Sequence, residues 1–364
     1  MNVLILSCNT GGGHNTAAKA LYGEFEKRGI DVRIKDAMDF VPKPKRDIVE
    51  KGHGFLYRHA PKMFGKAYEK TEQMDKHAAL YFDYAQHALS ASKYIRRYRY
   101  DTVICVHEFP AIMLTAARKY LGLDIELYFV ATDYSFAPGL EETFMDAWFV
   151  PHGFKEVFKE KGLPENRIAE TGIPVNSACY ERRRKADVRR SLCVRDDREL
   201  ILIAAGSIGC GPIKEIVEEM RRRKGSDAII AVLCGKNRTL LKKLSAEVKD
   251  ASLIPMGFVD NVIDWLFASD VFISKAGGLS TTEAATVGIP VILMNAIPGL
   301  EIHNLDYFVG NGCACTAETV QEICEAADMA VNNADRYISN QRRLFSVNSV
   351  RMIADYTVSR HEEN

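Results

Sequence analysis

Residues 199–220, ELILIAAGSIGCGPIKEIVEEM, run from an apolar strand through a loop holding Gly206, Gly209 and Gly211. They then enter a helical pattern whose Ile213, Ile216, Val217 and Met220 share one face. The chain has already taken this form once. Residues 2–28 give the strand NVLILS, the glycine loop within CNTGGGHNTAAKA (8–20), and a helix predicted from about Thr16 to Arg28 with Ala17, Ala20, Leu21 and Phe25 facing inward. Gly29 ends it, as a glycine after a last helical turn does. A strand that leads through glycines to a helix start opens a Rossmann-like unit, so two such starts predict two units.

Outward from these starts, apolar runs alternate with helical patterns. DVRIKD (31–36), DTVICV (101–106), IELYFVA (125–131) and DAWFVP (146–151) belong to the first half. AIIAVLCG (228–235), LIPMGFV (253–259), DVFISKAGG (270–278) and PVILMN (290–295) belong to the second. The alternation predicts an α/β chain with parallel sheets and crossover helices. A charged, proline-bearing stretch interrupts the scheme and puts a boundary near 180–198. The domains read as 1–182 and 183–340, followed by a segment 341–364 whose helical pattern, roughly Gln341 to Ser359, is expected to return to the first domain.

Lys and Arg number 48 and Asp and Glu number 48, so no overall field favours nucleic acid. Nine cysteines without a CxxC pair read as reduced thiols. Neither a signal peptide nor a run of about 20 apolar residues is present, which predicts a cytoplasmic protein. Oligomeric state is not legible.

The glycine loops point to chemistry. At GGGHN no Gly-Lys-Ser/Thr follows, which excludes a Walker loop, and Thr16 stands where the third glycine of a dinucleotide fingerprint belongs. What remains at Gly11, Gly12 and Gly13 is bare backbone at a helix start, open to close approach, with His14 able to take a proton. Residues 274–304, SKAGGLSTTEAATVGIPVILMNAIPGLEIHN, carry a stronger pattern. Gly277 and Gly278 open a turn, Ser280 to Thr282 begin a helix, Glu283 follows one turn in, and Gly288 with Pro290 stops it. Such a helix start suits a diphosphate, and the carboxylate suits the two hydroxyls of a ribose.

On these two stretches, with ATD (131–133), TGIPV (171–175), AAGSIGCG (204–211), VLCGKN (232–237) and GFVDNV (257–262), the chain resembles glycosyltransferase family 28. More narrowly, it resembles the monogalactosyldiacylglycerol synthase and processive diacylglycerol glucosyltransferase branch. The resemblance implies the GT-B fold, two Rossmann-like domains with parallel sheets facing across a cleft. It implies an inverting transfer of glucose or galactose from a UDP-sugar to diacylglycerol or another lipid. Relatives on the same fold that transfer or epimerise N-acetylglucosamine carriers, or a UDP-sugar-binding subunit without activity, are the alternatives.

By the same resemblance Gly277, Gly278, Leu279 and Ser280 hold the diphosphate and Glu283 the ribose, Gly206 and Ser207 bind the donor, and Lys275 supplements the helix dipole at the leaving group. The backbone at Phe258 and Val259 meets the uracil, and Pro298, Gly299, Glu301 and Asn304, on a loop, line the sugar. His14 or Asp133 is the base, and a hydrogen bond between them would make them one unit. No DxD motif occurs, so no metal and no cofactor are expected, the UDP-sugar being a substrate.

Residues 42–100 hold 13 Lys and Arg against 6 Asp and Glu, interleaved with aromatic and Met residues. That composition suits contact with an anionic membrane through Lys43, Lys45, Arg46, Phe55, Lys62, Met63, Phe64 and Lys66, placing the protein peripherally on the inner face. Joint charge reversal of the five basic residues should abolish sedimentation with anionic vesicles. Binding that survives the reversal counts against this segment.

Overall fold

The structure is a computed structural model that describes residues 1–9, 12–47, 83–195, 197–204, 206, 211–248, 250–294 and 300–363. Its contacts divide the chain into two compact units. Met1–Ser177 and Val347–Asn364 form the first, and Ala178–Ile297 with Glu301–Ser346 forms the second.

In the first unit the elements are β1 (Asn2–Ser7), α1 (Gly12–Lys27), β2 (Asp31–Asp36), α2 (Ala88–Tyr98), β3 (Thr102–Cys105), α3 (Glu108–Leu121), β4 (Glu126–Val130), β5 (Ala147–Val150), α4 (Lys155–Glu160) and β6 (Ile168–Glu170). The second contains α5 (Lys185–Ser191), β7 (Glu199–Ala204), α6 (Ile213–Lys224), β8 (Ala228–Leu233), α7 (Arg238–Ala246), β9 (Leu253–Met256), α8 (Val262–Ala268), β10 (Val271–Lys275), α9 (Gly278–Val287), β11 (Val291–Met294), α10 (Leu300–Gly310), β12 (Cys315–Ala317), α11 (Val320–Asn332) and α12 (Ala334–Phe345). The last helix, α13 (Ser349–Glu363), belongs to the first unit.

Each sheet has six parallel strands, in the orders β2-β1-β3-β4-β5-β6 and β12-β11-β10-β7-β8-β9. Strands covered on both faces by helices must be apolar throughout, which is why Val3–Leu6 and Leu200–Ile203 are completely buried. Both orders reverse once: the chain adds β2 on one side of β1 and β3 on the other, and β8 and β9 on one side of β7 with β10 on the other. At each reversal the following loops diverge and leave a crevice beyond the strand ends.

Two expectations change at the helices. α1 begins at Gly12 rather than near Thr16, so Gly12, Gly13 and His14 lie in its first turn and not in a loop before it. Ser7 Oγ donates to Asn15 Oδ1 at 2.6 Å, and Asn15 Nδ2 donates to Asn9 Oδ1 at 3.2 Å, which holds that extra turn to the strand end. The helical segment expected over 341–359 is two helices. Gln341 Nε2 gives α12 to the second unit by donating to the carbonyls of Ile289 and Cys313, both at 2.8 Å, and the chain breaks before Ser349.

α13 packs on α1, with Val350, Ile353 and Ala354 fully buried and Tyr356 edge-on to Tyr128 and Phe149. Arg28 also spans the two helices, pairing with Glu24 at 2.9 Å and Asp355 at 2.7 Å. Asp355 is 69% exposed, so that pair contributes less than about 1 kcal/mol. Burial of one Val or Ile contributes about 1.5–3 kcal/mol, and the apolar face holds the helix.

In the second unit, Arg189 is buried, and its guanidinium is shared among described acceptors. It donates to Ala268 O (2.8 Å), Arg198 O (2.9 Å) and Asp270 Oδ2 (2.6 Å), while Leu200 N–H donates to the same carboxylate at 2.7 Å. These bonds fix the start of β10 against β7. Arg189→Ala leaves Asp270 to Lys185 (2.7 Å) and the Leu200 N–H and frees the two carbonyls of Ala268 and Arg198, and should cost about 3 kcal/mol of stability in urea melts. A loss below 1 kcal/mol contradicts this role.

Candidate active site

In the second unit the crevice lies beyond β7 and β10. α9 starts directly after β10 with Gly277 as its N-cap in extended conformation, and among the described residues no side-chain cap bond closes it. Its first N–H groups therefore present the positive end of the helix to the crevice. Thr282 Oγ1 instead donates back to Gly278 O at 2.6 Å, Leu279 is buried, and Ser280 is half-buried at the helix start.

Lys275, the last residue of β10, adds a full charge at this helix start. Its Nζ donates to Glu301 Oε1 in an ion pair whose carboxylate is 5% exposed. Gly206, after β7, has φ of +69°, and a Cβ there would stand 2.7 Å from Lys275 Cε. Glycine is thus favoured both by its left-handed backbone and by the passage of the lysine.

Glu301 and Asn304 were expected on a loop but lie in α10. They share a face with Phe308 at i, i+3 and i+7, all three buried. Asn304 is completely enclosed and its Nδ2 donates to Ala276 O at 3.0 Å, tying α10 to the loop before α9. Its amide holds that loop in place instead of lining open space.

Glu283 lies in the second turn of α9 at 9% exposure. Burial pushes its carboxyl up to about 7. Phe258 is 65% exposed just beyond β9, an apolar ring facing solvent where a base could stack, and Val259 is half-buried. Ser207, Pro298 and Gly299 lie outside the described residues, as does Gly11 of the first unit.

The first unit's crevice lies beyond β1 and β3. His14 Nδ1 sits 2.9 Å from Val106 O and 2.8 Å from Thr132 Oγ1. A carbonyl can only accept, so Nδ1 carries the proton and the neutral ring keeps its lone pair on Nε2. Thr132 Oγ1 in turn lies 3.5 Å from Asp133 Oδ2, so the route shown between His14 and Asp133 runs through Thr132.

Two further side chains, not singled out from the sequence, complete this cluster. His107 packs on His14 with ring centroids 4.5 Å apart, and Glu108 Oε2 is 3.0 Å from His107 Nδ1. The signal was present in VHEFP (106–110), polar residues at a strand's carboxyl end, as at HNT and ATD.

Of the basic residues assigned to a membrane, Lys45 pairs with Asp83 at 2.5 Å and Arg46 with Asp39 at 2.8 Å, while Lys43 is exposed. Phe55, Lys62, Met63, Phe64 and Lys66 lie outside the described residues. No described helix is long and apolar enough to cross a membrane.

Residues 14–175 match the family model for monogalactosyldiacylglycerol (MGDG) synthase, and residues 200–355 match that for the glycosyltransferase family 28 C-terminal domain. Relatives named processive diacylglycerol beta-glucosyltransferase are similar over most of the chain. That of Bacillus cereus strain AH187 is 28% identical over 95% of this chain and 89% of its own. That of Bacillus mycoides strain KBAB4 is 28% identical over 88% and 83%. Among solved structures, Acinetobacter baumannii MurG aligns over 98% of both chains with a TM-score of 0.60 and 16% identity. Anabaena Alr3699/HepE, solved with UDP, aligns over 99% of this chain and 100% of its own with a TM-score of 0.56 and 10% identity. These likenesses identify the two-sheet architecture as the GT-B fold.

The raised Glu283 carboxyl makes a stability prediction. The folded state holds this proton more tightly than the unfolded chain, so stability falls as pH rises from about 4.5 to about 7 and stays lowered above. Glu283→Gln removes a penalty of about 3 kcal/mol that exists only when the group is charged. Urea melts should show the variant stabilised at pH 8 and little changed at pH 5. Equal effects at both contradict the burial argument.

Proposed function

We propose that this chain, a glycosyltransferase whose residues 14–175 match the MGDG synthase model and whose residues 200–355 match the glycosyltransferase family 28 C-terminal domain, transfers glucose or galactose from a UDP-sugar to diacylglycerol at a membrane surface. The observation that carries the donor class is the uncapped start of α9 with Lys275 beside it, a positive site built for a diphosphate. The relatives named diacylglycerol glucosyltransferases, matched over most of their length, support the lipid acceptor.

In this reading the diphosphate rests on the first N–H groups of α9 and draws on Lys275, which Glu301 holds in position. Glu283, as the carboxylate, accepts from the ribose hydroxyls, and Phe258 and Val259 border the base. The acceptor hydroxyl attacks the anomeric carbon as the bond to the UDP oxygen breaks, inverting the centre. His14 Nε2 takes the hydroxyl proton while Nδ1–H stays on Val106 O. Charge on the departing UDP is met by the helix dipole, N–H groups and Lys275, so the transfer runs without a metal.

Radiolabelled UDP-glucose or UDP-galactose incubated with diacylglycerol vesicles should yield a chloroform-soluble product, and His14→Ala should slow its formation by about 10²–10⁴-fold. An altered UDP-sugar without lipid product, or no product from either donor, contradicts the proposal. A His14→Ala rate within a few-fold of wild type removes His14 as the base.

A further inference from the structure

β3 ends at Cys105, and after Val106 the chain turns into α3, delivering His107 as N-cap and Glu108 as the first helical residue. His107 is 5% exposed, enclosed by His14 on one side and by Phe109, whose ring centroid is 4.3 Å away, on the other. Its Nδ1 faces two groups with opposite needs. Phe109 N–H donates to it at 3.2 Å and requires the lone pair. The Glu108 carboxylate, 3.0 Å away, requires a proton there. When Nδ1 is protonated, the helix cap is exchanged for a charge-assisted bond to Glu108.

Burial alone would drive Glu108 toward its neutral form. Where the rings are protonated, the charge and hydrogen bond of His107, then the charge of His14, outweigh it and hold the carboxyl below the usual range. Glu108 is therefore an anion that feels both imidazoles. Among the described residues, titratable groups face this cluster from four stretches of the chain. They are His14 on α1, His107 and Glu108 on α3, Asp133 after β4 by way of Thr132, and Tyr84, which stacks on Phe109 at 3.8 Å and senses both Glu108 and Cys8. Burial pushes the Tyr84 phenol far above its ordinary range, so it stays neutral.

We propose that Glu108, acting through His107, is a positioning residue for His14 that stabilises the imidazolium formed when His14 takes the acceptor's proton. This rests on His14 being the base. In the step itself the acceptor O–H breaks and its proton goes to Nε2. The ring, still donating from Nδ1 to Val106 O, becomes a cation packed on a second imidazole that Glu108 anchors. Without the carboxylate, two imidazoles in contact would oppose that charge.

The test pairs two readouts on wild type, Glu108→Gln and Glu108→Asp: the pH dependence of kcat/KM for transfer, and the titration of the His14 ring followed by NMR. Glu108→Gln should slow transfer about tenfold and move both the acidic limb and the His14 titration down by about 0.5–1 pH unit. Glu108→Asp should recover part of each. Slower transfer with the limb and the titration both unmoved overturns the proposal and leaves Glu108 as a helix-start residue only. A His14 titration that moves while the limb stays fixed upholds the electrostatic pairing but overturns His14 as the base, and with it the catalytic role proposed for Glu108.

Discussion

The constraint on which the rest depends is the single reversal of strand order in each parallel sheet. A parallel strand must be reached by a crossover, and where crossovers begin to run the other way their loops separate at the carboxyl edge. In the first sheet that point is β1 beside β3, and in the second it is β7 beside β10. Every side chain given a role in proton transfer or leaving-group stabilisation lies at or just beyond the end of one of these strands or, for Thr132, Asp133 and Glu301, beyond the next strand over.

The same topology carries opposite electrostatics in the two units. Beyond β10 the structure sets the positive end of a helix beside the Lys275 ammonium, which is ion-paired with the buried Glu301 carboxylate. Beyond β1 and β3 it places two imidazoles beside carboxylates, His14 and His107 with Glu108 and, through Thr132, Asp133. The first arrangement suits departing charge, and the second suits a proton in transit. Glu283 stands between these cases: it is buried, and that burial raises its carboxyl to about 7.

Much of the fold was legible because parallel strands buried on both faces must be apolar and must be punctuated by helix starts. NVLILS, ELILIA and the face Ile213, Ile216, Val217, Met220 could hardly serve otherwise. The start of α1 was harder to read, since glycine's weak helix propensity argued against Gly12 and Gly13, while the bonds among Ser7, Asn9 and Asn15 override it. IPGLEIHN looked like a polar loop because proline and glycine dominate its opening; the helical spacing of Glu301, Asn304 and Phe308 held the opposite message. His107 and Glu108 escaped notice because a two-residue polar step after a strand has no distinguishing spacing until His14 is brought against it.

The assignment of the nucleotide to the second unit is the centre of this account, and hydrogen–deuterium exchange with and without UDP tests it most directly. The account predicts slowed exchange in the first turn of α9, at Gly278 to Thr281, and in α10 around Glu301, with residues 12–16 and 106–108 unchanged. Protection confined to residues 12–16, with α9 and α10 unaffected, would place the diphosphate on the glycines of the first unit and contradict it.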